Sequence, residues 1–381
     1  MPWLNPKERS VLGKIGDCTT GRLGSNLMVC RCGHREVHYN SCRDRHCPLC
    51  QGAARARWVN QRINELLPCP YFHVVFTIPH QLRSLAYANK AIFYQEMFRC
   101  VHETLTEVAL RPENLGARIG GLSILHTWNQ KLAFHPHIHC IVPGGGPNPE
   151  GTTWIPGNLT YLLPVKKLSA VFRGKLLSRL EGLHTRGKLF ETGPERIQAA
   201  LKKAAGKDFV VYSKRPFGSP SQVLSYLGRY THRVGISEQR IVAYDGTAVT
   251  FSWLDRKNGH CKQKLCLSSE DFLKKFLLHI LPGGIKKIRY FGFMANKNKQ
   301  ENLLAVRALL ETSGYALPSE DSKTTEVEKK LVQPCPDCGQ ELILHAADSW
   351  KTCPNTMKRR IIQSWVEKQH FHLSPMTMGT G

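Results

Sequence analysis

HTWNQKLAFHPHIHCIVPGGG, residues 126–146, is the stretch on which the reading of this chain turns. It joins the end of an apolar, β-branched run at 119–127 to a second run at 136–142 across a short polar stretch, and three glycines close the second run. That pattern predicts an antiparallel hairpin. Strand side chains alternate, so His137, His139 and Ile141 share one face while Ile138, Cys140 and Val142 share the other. Two imidazoles projecting together suit a divalent metal with positions left open for water or a phosphate oxygen. His126 is the candidate third ligand if the register sets it opposite 137, and a slip of one residue turns it away. Gln130 and His135 are the other nearby candidates.

Outward from the hairpin, residues 72–78 read as a strand and 81–109 as a helix, with 147–205 as an insert or connector. A strand at 209–212, a helix from about 221 to 232, strands at 240–244 and 248–254 and a helix at 270–280 follow. This mixture is α+β. After position 310 the polar run SEDSKTTEVEKK reads as a linker. The expected division is a small zinc-binding module at 1–67, a catalytic domain at 68–310, and a linker and tail at 311–381. No internal repeat is visible.

Six of the fourteen cysteines lie between Cys18 and Cys50, a density that favours metal over disulfides. Cys47 and Cys50 form a C-x-x-C knuckle suited to one tetrahedral Zn²⁺. Cys30 and Cys32 are the expected second pair, and Cys42 with His46 offers another. Cys18, His34 and His38 are also near in sequence. Cys335 and Cys338 form a further knuckle, a weaker signal, with His345 and Cys353 as possible completing ligands. Arg43 and Arg45, in a segment where arginines far outnumber acids, are candidate DNA contacts.

Tyr226 and Tyr230 are four residues apart, about 40° of arc on a helix, so both hydroxyls address one site. Alone, the pair reads better as two core aromatics. Beside a histidine-held metal, a tyrosine becomes a credible nucleophile toward a phosphodiester, leaving a 5′-phosphotyrosine and a free 3′-OH. Arg229 and Arg233 flank the pair as candidate phosphate contacts.

The chain has 381 residues with 53 Lys and Arg against 29 Asp and Glu, a formal charge of +24 that calls for a polyanionic partner. No apolar run is long enough to span a membrane and residues 1–10 have no apolar signal core, so the expected location is cytoplasmic, associated with DNA. Phe134, Trp128, Tyr212 and Trp253 are candidate stacking partners for unpaired bases.

Four ordered segments carry a resemblance: YNSCRDRHCPLCQGAARARW (39–58), HTWNQKLAFHPHIHCIVPGGG (126–146), SYLGRYTHRVGIS (225–237) and FLLHILPGGIKKIRYFGF (276–293). Together they resemble the insertion sequence 91 family of rolling-circle transposases, within the HUH endonuclease superfamily. The resemblance implies an antiparallel-sheet HUH nuclease core with flanking helices, preceded by a zinc-binding domain. It gives His137 and His139 the metal-ligand role and Tyr226 and Tyr230 the nucleophile role. The implied cofactors are structural Zn²⁺ and a catalytic Mg²⁺ or Mn²⁺; the implied partners are single-stranded DNA at element ends and target DNA, with no membrane. A plasmid relaxase or replication initiator uses the same chemistry, and a non-catalytic zinc-dependent DNA-binding protein is the alternative from another class.

Overall fold

The structure, a computed structural model, describes residues 4–158, 160–190, 193–217, 222–223, 228, 235–255, 258–259, 261–314, 334–340 and 342–348. The described helices, in chain order, are α1 (Pro6–Asp17), α2 (Gln51–Asn60), α3 (Arg83–Ala88), α4 (Lys90–Leu110), α5 (Val165–Thr185), α6 (Pro194–Ala205), α7 (Ser269–Leu277) and α8 (Lys299–Thr312). The strands begin with β1 (Ser25–Val29), β2 (Arg35–Tyr39), β3 (Tyr71–Thr77), β4 (Gly120–Trp128), β5 (Phe134–Pro143), β6 (Gly145–Pro147) and β7 (Trp154–Pro156). They continue with β8 (Val211–Phe217), β9 (Ile241–Tyr244), β10 (Ala248–Asp255), β11 (Cys261–Ser268), β12 (Ile288–Gly292) and β13 (Ile343–Asp348). Among the described residues no helix is long and apolar enough to cross a membrane.

The chain divides into two compact units, Met1–Cys50 with Lys329–Gly381, and Gln51–Glu328. In the first, α1 opens on a capping box: the Asn5 side chain accepts from the Glu8 amide at 2.9 Å while the Glu8 carboxylate accepts from the Asn5 amide at 3.0 Å. β1 and β2 pair as a hairpin, and β13 pairs antiparallel with the other edge of β1. The segment expected to be a tail thus supplies a strand of the first unit. The expected module boundary near 67 also moves, because α2 belongs with the second unit.

In the second unit a five-stranded sheet runs in the order β12-β4-β5-β3-β8, with every neighbouring pair antiparallel. One face presents Phe72, Val74 and Phe76 from β3, Leu125 from β4, and Ile138, Cys140 and Val142 from β5. These pack with Phe93, Met97, Val101 and Leu105 of α4 and with Leu168, Phe172, Leu176 and Leu180 of α5. Both sets recur every four residues, the spacing that keeps one helix face on the core. Each such buried side chain contributes roughly 1.5–3 kcal/mol.

The other face is shared between two environments. Toward one end Tyr71, Leu122, Ile124 and Ile141 belong to a second apolar cluster with Leu303, Val306 and Leu310 of α8. Toward the other end the same alternation puts His73, His126, His137 and His139 in a cleft. A smaller antiparallel sheet, β11-β10-β9, lies alongside, tied to the β4–β5 loop by Arg240, whose Nη2 donates to the Gln130 carbonyl at 2.5 Å.

Several expectations change. The helix foreseen at 81–109 breaks at Asn89, whose side-chain amide donates to the carbonyls of Leu85 at 3.0 Å and Phe190 at 2.8 Å. The stretch 147–205 is no mere connector, since α5 and α6 contribute to the main core. β11, β12 and α8 were not foreseen. Most of the helix expected at 221–232 lies outside the described residues.

Candidate metal centre

The register of the β4–β5 hairpin sets His126 opposite His137 and Ile124 opposite His139. The parity that the sequence leaves open therefore turns His126 to the same face as the other two. Ring centroids stand 5.5 Å apart for His126 and His137, 4.5 Å for His126 and His139, and 4.8 Å for His137 and His139. One nitrogen from each lies within 4.8 Å of the others. Beyond His126 the ladder slips by one residue, since Trp128 faces Phe134. The extra residue falls in β5 around Pro136, which has no N–H to give a ladder and is at home in a bulge.

Hydrogen bonds fix the orientation of these rings. His137 Nδ1 lies 2.7 Å from the His135 carbonyl oxygen, which only accepts, so Nδ1 carries the proton and Nε2 holds the lone pair in the neutral ring. His139 Nδ1 lies 2.8 Å from His73 Nε2, with the two rings nearly parallel at 7°, edge to edge, and their centroids 5.0 Å apart. Such partners on the far nitrogen are what orient histidine ligands toward a metal. His73 is held neutral, its pKa pushed down to about 3 by burial, with Lys214 and His137 adding to the effect. The donor set of three imidazoles on one sheet face fits a divalent cation with open positions.

His135 is not part of the triad: its Nδ1 accepts from the Arg83 guanidinium at 2.7 Å, and burial, followed by that charge, lowers its pKa to about 4. Gln130 sits in the β4–β5 loop. His73 is the residue that the sequence reading missed. Its signal was a polar side chain interrupting an apolar strand, at the position where alternation aligns it with Tyr71 and Val75.

The triad faces a cleft of about 780 Å³ whose walls include Trp128, Lys131, Tyr212, Lys214, Arg240 and Trp253. Lys131 Nζ sits 4.0 Å from the centroid of the Trp253 ring, and Lys287 Nζ 5.1 Å from that of Trp128. The cleft therefore combines cations with aromatic faces. Phe134, the fourth expected stacking residue, instead packs edge-on against Tyr87 at 5.4 Å and on the main core. Tyr226, Tyr230, Arg229 and Arg233 lie outside the described residues.

The described cysteines of the first unit form two groups. Cys18, Cys42, Cys47 and Cys50 converge in one, and Cys30, Cys32, Cys335 and Cys338 in the other, with the sulfurs of each group within 4.8 Å of one another. The expected single set of Cys30, Cys32, Cys47 and Cys50 is thus corrected. Cys30 and Cys32 occupy the tip of the β1–β2 hairpin, whereas Cys18 caps the end of α1 and Cys42 follows β2, and both of these meet the 47–50 knuckle. In that group Cys42 Sγ lies 3.8 Å from Cys50 Sγ, and the Cys42 amide donates to Cys18 Sγ at 3.4 Å. Four thiols at this spacing fit tetrahedral Zn²⁺. His46 is turned away to Asp44, with Nδ1 2.8 Å from its carboxylate. Arg43 is exposed and Arg45 half-buried.

The family model described as "Transposase zinc-binding domain" matches residues 3–78, and that described as "Putative transposase" matches residues 120–302. The chain is 43% identical over 355 residues to "Putative transposase y4qJ" of Sinorhizobium fredii (strain NBRC 101917 / NGR234), covering 88% of each protein. It is 30% identical over 305 residues to the transposase for insertion sequence element IS801 of Pseudomonas savastanoi pv. phaseolicola, covering 77% of this chain and 72% of that one. Among solved structures it is similar to the conjugative relaxase TrwC in complex with mutant OriT DNA, at 15% identity and a TM-score of 0.24, covering 65% of this chain and 75% of that one. On the extent of the two sequence relatives and the two domain matches, the chain belongs to the insertion sequence 91 family of transposases.

Proposed function

We propose that this protein cleaves and rejoins single-stranded DNA at the ends of an insertion sequence, through a tyrosine nucleophile assisted by a divalent cation. The observation that carries the reading is the meeting of His126, His137 and His139 at one cleft that also offers cations and aromatic rings. The three imidazoles would hold Mg²⁺ or Mn²⁺, and the chemistry such an ion supplies is withdrawal of charge from a non-bridging oxygen of the scissile phosphate.

The remaining work falls to the chain itself. His73 and the His135 carbonyl orient His139 and His137. Lys131 and Lys214 supply positive charge along the DNA backbone, and Trp128, Tyr212 and Trp253 offer faces for unpaired bases. The nucleophile is assigned to Tyr226 or Tyr230 on the resemblance of the YLGRY segment. A bond forms from the phenol oxygen to phosphorus, the bond from phosphorus to the 3′ oxygen breaks, and the phenolic proton ends on that 3′ oxygen. One phosphodiester replaces another, so the step reverses readily and a second tyrosine can take its turn without hydrolysis. Arg43, Arg45, Arg229 and Arg233 are proposed phosphate contacts. Cys18, Cys42, Cys47 and Cys50 are proposed to hold a structural Zn²⁺ in the module that reads duplex or folded DNA ends.

Incubation with Mn²⁺ and an end-labelled single strand from the element terminus should yield an SDS-resistant protein–DNA band. Chelation by EDTA, His137→Ala, or Tyr226→Phe with Tyr230→Phe should each abolish it. An adduct that persists in the double tyrosine variant, or no adduct from either element end, would overturn the reading.

A further inference from the structure

We propose that Cys30, Cys32, Cys335 and Cys338 bind a second Zn²⁺, which fastens the far C-terminal part of the chain to its N-terminal hairpin. The match to the zinc-binding domain ends at residue 78, so two of these four thiols lie more than 250 residues beyond it. Cys30 Sγ stands 3.3 Å from Cys338 Sγ, and Cys32 Sγ 3.6 Å from Cys335 Sγ. A tetrahedral ion with Zn–S bonds of ~2.3 Å sets its sulfurs about 3.8 Å apart, and a disulfide needs about 2.05 Å, so the spacing is that of ligands and not of a bond.

The two pairs sit on matching turns. In the first, the Cys30 amide donates to the His34 carbonyl at 2.8 Å and the Gly33 amide to the Cys30 carbonyl at 3.0 Å. In the second, the Cys335 amide donates to the Gln340 carbonyl at 2.7 Å and the Gly339 amide to the Cys335 carbonyl at 2.8 Å. Gly33 and Gly339 both take a positive φ, +92° and +73°, the conformation such knuckles require and that other residues adopt at a cost. One cysteine of each pair is buried, Cys30 and Cys335, and one is exposed, Cys32 and Cys338. The short C-x-C of the first turn, which lacks one residue of an ordinary knuckle, is completed from across the chain.

Among the described residues and outside the thiols, the contacts of the second turn are Leu342 and Met28 beside Cys30 and Cys335, and a hydrogen bond between His34 Nδ1 and the Asp337 carboxylate at 2.8 Å. β13 adds a ladder along β1, with an irregularity between Leu27 and Met28. So small an apolar cluster is a weak anchor for a segment that must close a loop of nearly the whole chain. A metal supplies the missing free energy, and the four thiols release their protons to solvent as it binds.

Zinc content of the purified full chain, by inductively coupled plasma mass spectrometry and with His137→Ala in every sample to disable the histidine triad, should be two ions per chain. Cys335→Ser with Cys338→Ser should lower it to one, as should Cys30→Ser with Cys32→Ser. All four changes together should still leave one, whereas adding Cys47→Ser should leave none. A content of one with all the cysteines present, or two ions retained without Cys335 and Cys338, overturns the proposal. On the unaltered protein, iodoacetamide should spare Cys338 until a strong chelator is added. Labelling of Cys338 in zinc-loaded protein, or a Cys30–Cys338 cross-link in its non-reducing peptide map, overturns it too.

Discussion

Replacing His73 with Phe separates the orientation of the metal ligands from their presence. Phe keeps a ring at position 73 but turns a C–H edge toward His139, where the two rings now lie nearly parallel, edge to edge, with centroids 5.0 Å apart at 7°. What disappears is the nitrogen 2.8 Å from His139 Nδ1. The ring at 139 then loses the bond that fixes its tautomer and aim, while His126 and His137 are untouched. Loss of such an outer partner costs about 10–100-fold in metal affinity, equivalent to roughly 1.4–2.7 kcal/mol. The assay is Mn²⁺ binding to zinc-loaded protein, followed by the electron paramagnetic resonance signal of the free ion. The expected result is a dissociation constant raised within that range, with a thermal midpoint close to that of the unaltered protein because the core cluster is intact. Unchanged affinity in a folded variant would show that His139 is not aimed by His73, and the reasoning about its tautomer would fail.

Other outcomes follow from the packing and the charges. Phe172 is fully buried and meets Phe76 at 5.1 Å and Phe209 at 5.7 Å between ring centroids. Phe172→Ala should cost about 3–5 kcal/mol in chemical denaturation. His102 is held neutral by burial, with Arg289 nearby, which lowers its pKa from 6.5 to about 4. The unfolded chain therefore binds a proton first, so the stability tied to this ring is intact above pH 6.5 and falls as the pH drops toward 4, by up to about 3 kcal/mol. His102→Phe should flatten that part of the pH profile, and an unchanged slope would exclude the ring as its source. Lys131→Ala should weaken binding of single strands and make it less salt-dependent, as read by fluorescence anisotropy across a salt series.

The hairpin and its facing histidines were legible because strand alternation is a local property: the parity of 137 and 139 follows from spacing alone. Whether His126 joined them was not, since the register of two strands depends on the bulge at Pro136, which the pattern of residues does not display. Helix α5 carried a readable signal in Leu168, Phe172, Leu176 and Leu180, spaced four apart, which the reading of 147–205 as an insert or connector passed over. β11 gave little to read: CKQKLCLS has no clean alternation of apolar and polar residues, and it is largely exposed. The pairing of cysteines was hidden for another reason. Nearness in sequence favoured joining Cys30 and Cys32 to Cys47 and Cys50, but thiols meet according to which turns the strands bring together, and the partners of Cys30 and Cys32 come after position 330.

Mapping the DNA attachment site by mass spectrometry of the proteolysed covalent adduct tests the central claim most directly. The account places the nucleotide on a peptide containing Tyr226 or Tyr230, joined through a 5′ phosphate, and formed only when His126, His137 and His139 are all present. A nucleotide carried on any other residue, or an adduct of full yield with the three histidines replaced by alanine, would contradict it.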